Sequence, residues 1–508
     1  MPTRSAPPAR LGPLSHLAGG GLALLLVFGP LAFACTRPEP LSWLSRGLHG
    51  VVGVWILGLI VERRFPGIPR LAFNSAIALI LYAWLRLWWG ESVPISGFTL
   101  SHFSRIYDRW PESIILRTPE TITFLASGLL GGFLVATDLT RRSLWRRTLL
   151  FTMVGVGCSV VILGLVQNAT HAPGIYWERP KNHMPSPFFG PFYHFTSAGA
   201  FLNLTWPLAA SMALYSFRRY ASEAKPVLPV VLWGFISILL LLGHAGHVSR
   251  FPQVIAIAVL LGLIGVHRPL KQLRWSWRLF GSAGAAALVL GCSVLWVVGR
   301  TGRIHDITAR WQMLNVWGTN TPAPPLPPKD DWPRLMRDDL VVPYDHDAIF
   351  LRDRGAAYAF AATTLTHRPL FGFGPGGWIA AVSQWATDPV IGTFYLYLQF
   401  THEDFLQTLI EWGLVGGMLW LILVGGGIYT GFQRFKNPHQ RWSGRPDFSA
   451  LIVGALAAVF AVLVQALIDF PLQIPANALY ACILLAVCWS SGARDSLSAS
   501  STQHVHEQ

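Results

Sequence analysis

The chain has 508 residues, of which 52% are hydrophobic and only 13% charged, whereas charged residues make up roughly a quarter of an ordinary soluble domain. That composition excludes a soluble enzyme. Repeated apolar runs of about 20 residues, each able to cross a hydrocarbon core about 30 Å thick, also exclude a single-anchor protein and a β-barrel, whose strands are roughly half as long. The formal net charge of +14 sorts mostly by membrane side, so no nucleic-acid partner is expected.

Apolar windows predict an all-α polytopic membrane protein with about twelve transmembrane helices, near 17–34, 48–62, 71–89, 119–137, 148–167, 196–216, 227–243, 251–266, 279–298, 405–431, 449–468 and 476–492. The first window follows Arg4 and Arg10 and lacks a small-residue cleavage site with a soluble domain behind it, so it reads as a retained span. With the N-terminus inside, every inner loop is basic: Arg63, Arg64 and Arg70; Arg141, Arg142, Arg146 and Arg147; Arg218, Arg219 and Lys225; then two further clusters after 267 and 433. Both termini are therefore expected to be cytoplasmic. Cys35, Cys158, Cys292, Cys482 and Cys488 lie mostly in apolar runs without paired spacing, and read as packing residues, with neither a zinc site nor a disulfide framework.

The organisation expected is an N-terminal bundle of about nine spans (1–298), a long outer loop (299–401), about three C-terminal spans (402–492) and a cytoplasmic tail (493–508). The long loop exceeds what a structureless connection needs, so it is expected to carry function. It opens with the proline-rich, extended TPAPPLPPKDDWP, continues as a helix from near Asp353 to just before HRP, and closes in FGFGPGG. Those glycines lack the strand and the GK[ST] ending of a phosphate loop; they suit a sharp turn with positive φ that folds back onto the membrane surface.

Three groups at outer ends of spans have chemistry to offer. Arg250, in GHAGHVSRF, presents a planar cationic fork suited to phosphate, or an interfacial arginine reaching the headgroups. Arg354 opens the loop helix, as a ligand for an anion or as a solvated helix charge. His402, Glu403 and Asp404 open the long apolar helix THEDFLQTLIEWGLVGG. The two carboxylates suit the helix dipole, and an imidazole can take a proton from a sugar hydroxyl near neutral pH or simply be structural. At 100° per residue Glu403, Gln407 and Glu411 share one face, a polar stripe entering the membrane. Trp378, with Trp311, Trp317, Trp332 and Trp385, offers a ring to stack on sugars, or belongs to an interfacial aromatic belt. Asp469 caps or bridges helices, or acts at the site.

These runs resemble, in order, the O-antigen ligase and polymerase family of bacterial membrane glycosyltransferases. THEDFLQTLIEWGLVGG is similar to that family's HNxxLQxxxExGxxG, RGAAYAFAATTLTHRPLFGFGPGGW to its Arg, aromatic helix and Gly turn, SRF to its SRG turn, and FYHFTSAGAFLNLTWPLA and IDFPLQIPANALY to two further runs. The chain departs from the pattern at Glu403, where Asn is usual, at SRFP, at Gln465, where His is usual, and at Thr196 and Ser197, where Asn is missing. The resemblance covers about residues 150–490 and implies a C-type membrane glycosyltransferase fold in a bacterial inner membrane, with its site at the outer leaflet and with no metal or other cofactor. It implies a polyprenyl-diphosphate-linked glycan as donor and a glycan or lipid core as acceptor, among membrane lipids. Arg250 and Arg354 would hold the diphosphate and His402 the reacting hydroxyl, with Glu403, Asp404, Gly374 and Trp378 near the substrate. A transporter or flippase of the same lipid-linked glycan, and a scaffold without catalysis, are the alternatives; ligase and polymerase are left open.

Overall fold

The computed structural model describes residues 11–89, 118–178, 188–223, 226–247, 249–267, 358, 361–378, 381, 400–436 and 446–491. Among these, the regular structure is helical, apart from one isolated bridge between Phe189 and Phe192. Eleven helices of sixteen or more residues follow the predicted windows: α1 (Pro13–Leu31), α2 (Pro38–Val61), α3 (Arg70–Trp89), α4 (Pro119–Leu139), α5 (Ser143–Ala169), α6 (Phe195–Glu223), α7 (Leu228–Gly246), α8 (Arg250–His267), α9 (Asp404–Lys436), α10 (Pro446–Ala466) and α11 (Pro475–Ser490). The expected span at 279–298 lies outside the described residues, as does most of the long outer loop.

Helix starts are written in the sequence. Proline occupies the first turn of α1, α2, α4, α7 and α11, where its missing N–H costs nothing and its fixed φ suits the helix. At α4, Thr118 also accepts a hydrogen bond from the Thr121 N–H at 3.2 Å, a cap that contributes about 1 kcal/mol.

Nine helices among the described residues are long and apolar enough to cross a membrane, and the chain is an all-α multi-pass membrane protein. The helices that fall outside that description are α11, which is short, and α6, which is the more polar. The polarity of α6 follows from its position. It packs against α5, α7, α8, α10 and α11, so its side chains meet protein rather than lipid. Asn203, Thr205 and Ser211 on it are wholly buried. Their needs are met inside the bundle: Asn203 Nδ2 donates to the Pro252 carbonyl at 3.2 Å, Trp206 Nε1 to Asn203 Oδ1 at 2.9 Å, and Ser211 Oγ to the Ala450 carbonyl at 2.7 Å. In hydrocarbon an unmet polar group costs several kcal/mol, so such pairing is obligatory.

A second group of helices surrounds α4, which contacts α1, α2, α3 and α11. Its C-terminal end is tied by charge. There Asp138 accepts from Arg64 Nη1 at 2.8 Å, Trp55 Nε1 at 2.9 Å and the Gly67 N–H at 2.7 Å, while Arg64 also reaches Glu62 at 2.9 Å and Ser15 at 2.9 Å. At the N-terminus of α2, Arg37 bonds Glu178 and the Tyr193 hydroxyl, each at 2.8 Å, with its guanidinium carbon 3.4 Å from the Phe33 ring centre. The described cysteines are free, and Cys35 and Cys488 are buried; Cys292 lies outside the described residues.

Candidate active site

The start of α9 is built around a residue in a backbone conformation that few side chains adopt. His402 has φ of 56°, is 9% exposed, and packs its ring edge-on against Phe470 at 4.9 Å. Its carbonyl accepts from the Tyr358 hydroxyl at 3.1 Å, so the segment before the glycine turn touches His402 directly. The other face of the arrangement is aromatic too: Phe470 stacks on Phe400 at 4.3 Å and meets the exposed His194 ring at 6.1 Å.

The two carboxylates beside His402 differ in role. Glu403 accepts from the Phe405 N–H at 3.1 Å and from the Leu406 N–H, closing the first turn of α9 as a cap. Partial burial pushes its carboxyl above the ordinary value, and those two N–H bonds pull it partly back. Asp404 is 2% exposed and accepts from the Leu472 N–H and from Gln473 Nε2, each at 2.8 Å. It therefore fixes the turn between α10 and α11, and with it Phe470, against the start of α9.

The expected polar stripe of Glu403, Gln407 and Glu411 is corrected by this geometry. Because α9 begins at Asp404, Glu403 precedes the helical spiral, and the buried face consists of Asp404, Gln407 and Glu411. Gln407 Oε1 accepts from the Thr401 N–H at 3.2 Å, Gln407 Nε2 donates to Glu411 Oε1 at 3.0 Å, and Glu411 Oε2 accepts from the Gly376 N–H at 3.0 Å.

The span expected at 405–431 lies within α9, which is long and apolar enough to cross a membrane, but it has an interruption that its apolar pattern did not announce. Gly413, with φ 63° and ψ −174°, interrupts α9, and the glycine turn fills the interruption. The Leu414 and Val415 N–H groups donate to the Pro369 and Leu370 carbonyls at 2.8 and 3.1 Å. In return the Phe373 and Gly374 N–H groups donate to the Ile410 and Glu411 carbonyls at 2.9 and 2.8 Å. From α3, Tyr82 reaches the Trp412 and Phe371 carbonyls at 2.7 and 2.8 Å, and Arg86 the Gly372 carbonyl at 2.9 Å. Gly372, Gly374 and Gly376 all have positive φ, as a sharp turn of this sequence requires.

Gly374 thus serves the turn through its backbone. Trp378 is 1% exposed and packs with Ala361, Ala381 and Ile410 in a small core of its own, a role other than the open sugar platform considered for it. The loop helix is helical over 361–367 and ends at His367, one residue beyond the expected end before HRP. Its predicted start and Arg354 lie outside the described residues, with Trp311, Trp317, Trp332 and Trp385.

Arg250 is half-buried at the first position of α8. The turn that delivers it is held by two buried histidines, His247 Nε2 lying 2.9 Å from His244 Nδ1, and by Gln253 Nε2, which donates to the His244 and His247 carbonyls at 2.6 and 3.1 Å. Burial, with His244 alongside, holds the His247 ring well below its ordinary pKa. A methyl on Gly199, in the second turn of α6, would stand 2.7 Å from Pro252 and 3.0 Å from His247. Arg250 and His402 therefore flank the same end of α6, one on the α7–α8 side and the other, through Phe470 and His194, on the α9–α10 side. Asp469 accepts from the Phe470 N–H at 2.9 Å and from Gln465 Nε2 at 3.3 Å, and Gln465 Nε2 lies 3.1 Å from the Thr196 carbonyl. Among the described residues no group of three His, Cys, Asp or Glu side chains is arranged to hold a metal.

The parts that sequence reasoning missed are the interruption at Gly413 and the α3 residues Tyr82 and Arg86 that serve it. Gly413 is one of 48 glycines, many of them inside helices, so composition did not distinguish it. No curated protein matches the chain. Residues 235–421, from α7 through the Arg250 turn into the middle of α9, are similar to the family model described as O-antigen ligase.

Proposed function

We propose that the protein transfers a glycan from a polyprenyl-diphosphate carrier to a hydroxyl of a glycan or lipid-core acceptor at the outer face of the bacterial inner membrane, as an O-antigen ligase or a polysaccharide polymerase. The observation that carries this reading is the family match over 235–421, a range that contains Arg250, Arg354 and His402. In the reaction, the acceptor oxygen bonds to the anomeric carbon as the bond from that carbon to phosphate breaks, with inversion. His402 takes the hydroxyl proton, and the polyprenyl diphosphate departs with the bonding electrons. Two guanidinium groups, Arg250 and Arg354, neutralise the charge that develops on the diphosphate. Both termini lie in the cytoplasm, which puts the long loop and His402 outside.

The test is transfer by the purified, full-length protein in lipid discs, supplied with a polyprenyl-diphosphate oligosaccharide and an envelope glycan acceptor. Glycosidic product with release of polyprenyl diphosphate is expected; intact donor after incubation with correctly folded protein overturns the proposal. The second reading, movement of the lipid-linked glycan across the membrane, draws on the interruption of α9 beside the buried Glu411, since transporters bind substrates at interrupted helices. Here the interruption is occupied by the glycine turn, which weighs for transfer. Glycan translocation without new glycosidic bonds in the same discs would favour the second reading.

A further inference from the structure

We infer that Gln407 and Glu411 are positioning residues for His402, transmitting the seat of the glycine turn to the backbone that carries the imidazole; this rests on the transfer reading above. The three hydrogen bonds from Gly376 through Glu411 and Gln407 to Thr401 run in series through buried atoms, and Thr401 immediately precedes His402. Thr401 Oγ1 in turn donates to the Glu403 carbonyl and accepts from the Glu403 N–H at 3.3 Å, so the peptide units on both sides of Glu403, the first of which follows directly on His402, are clamped by the residue that precedes His402. The His402 carbonyl is held by Tyr358. A histidine at φ 56° stays there only when its surroundings over-determine it, and this network is what over-determines it.

Hydrogen-bond direction makes the inference sharp. Both ends of the series are backbone N–H donors, so the two side chains between them must supply an acceptor at each end and one donor in the middle. One amide and one carboxylate satisfy that requirement in either order; two amides leave one bond unmade, and two carboxylates place acceptor against acceptor. The native order is amide at 407 and carboxylate at 411. The reversed order, Gln407→Glu with Glu411→Gln, makes the same three bonds.

The experiment compares wild type, Glu411→Gln, Gln407→Glu and the double variant, all as full chains in lipid discs. Three quantities are read: kcat and KM for transfer from a polyprenyl-diphosphate oligosaccharide, the rate at which diethyl pyrocarbonate modifies His402, and the thermal midpoint. Misplacement of a reacting group by about 1 Å costs up to about a hundredfold in rate. Each single variant is therefore expected to lose about tenfold or more in kcat with KM nearly unchanged, and to expose His402 to faster modification. The double variant is expected to return both readouts to within about threefold of wild type, the reciprocal coupling of residues in one network. If Glu411→Gln does not accumulate, Gln407→Met removes both bonds of Gln407, leaves the Gly376–Glu411 bond in place, and is expected to show the same slow transfer and fast modification. A double variant no better than the worse single, or single variants that leave kcat and modification unchanged, overturns the inference. Modification is read without turnover, so a wild type that transfers nothing while modification follows the reversal refutes the transfer reading and leaves the positioning role standing.

Discussion

Gly372 and Gly413 lie backbone against backbone: a methyl on either would stand 2.5 Å from the amide nitrogen of the other. The contact exists because α9 stops and restarts at Gly413, which frees two N–H groups and two carbonyls, and the glycine turn returns four partners for them. In a membrane each of those groups left unmet would cost several kcal/mol. The turn is thus a structural component of the helix that His402 opens.

Gly413→Ala is expected to remove at least about 3 kcal/mol of stability, because its φ and ψ belong to a region nearly restricted to glycine and the methyl meets backbone atoms. Gly374→Ala carries only the conformational penalty of about 1–2 kcal/mol, since nothing lies within 4 Å of the added methyl. Thermal unfolding in detergent, followed by size-exclusion chromatography, checks the contrast; equal losses at the two positions would contradict it.

Asp404→Ala removes an acceptor from the half-buried Leu472 N–H and Gln473 amide, at a cost of about 1 kcal/mol for each lost bond. Asp404→Asn is expected to cost less. Its remaining oxygen keeps the Leu472 bond and the Gln473 amide can turn its own oxygen toward the new donor. The order wild type, Asn, Ala in thermal midpoint is the expected result.

Trp378→Ala is expected to lose about 3–5 kcal/mol, as deletion of a fully buried aromatic does, and Trp378→Phe much less. A Trp378→Ala protein with an unchanged thermal midpoint but a raised KM for the glycan would assign the ring to substrate instead.

Most of the helical architecture was legible because long apolar runs have few other solutions in a membrane, and α3, α4 and α8 fall on their predicted windows to within two residues, whereas α2 begins ten residues before its window. The position of His402 at the mouth of a helix was legible as well. What was hidden depends on contacts between residues far apart in the chain. Tyr82 and Phe371 meet across 289 positions, and Asp404 and Leu472 across 68; no local pattern records either. Glu403 was misassigned to a helix face for a related reason: periodicity gives a residue's angle on a helix but does not say where the helix begins, and α9 begins one residue later.

The charge cluster at Glu62 gives a pH dependence of definite sign. Burial alone pushes its carboxyl up, but bonds from Ser15, Gly12 and Arg64 outweigh this and hold it below the ordinary 4.5. The folded state thus binds this proton less tightly than the unfolded state. Its contribution to stability is fully present above the unfolded value and is lost as pH falls through that value and then the folded one. Thermal midpoints measured from about pH 6 down to about pH 3 are expected to fall less steeply for Glu62→Gln than for wild type; parallel curves would contradict the assignment.

Glycan transfer assisted by the imidazole of His402 is put to the test by His402→Asn. Asparagine tolerates the positive φ that His402 occupies, so the backbone is kept while the base is lost, a contribution of about a hundredfold to ten-thousandfold. The measurement is the envelope glycan banding of a strain lacking the chromosomal copy, complemented with wild type or His402→Asn at equal membrane abundance. His402→Asn is expected to lose the acceptor-linked glycan or its long chains while lipid-linked donor accumulates; banding indistinguishable from wild type would rule out the role of the imidazole.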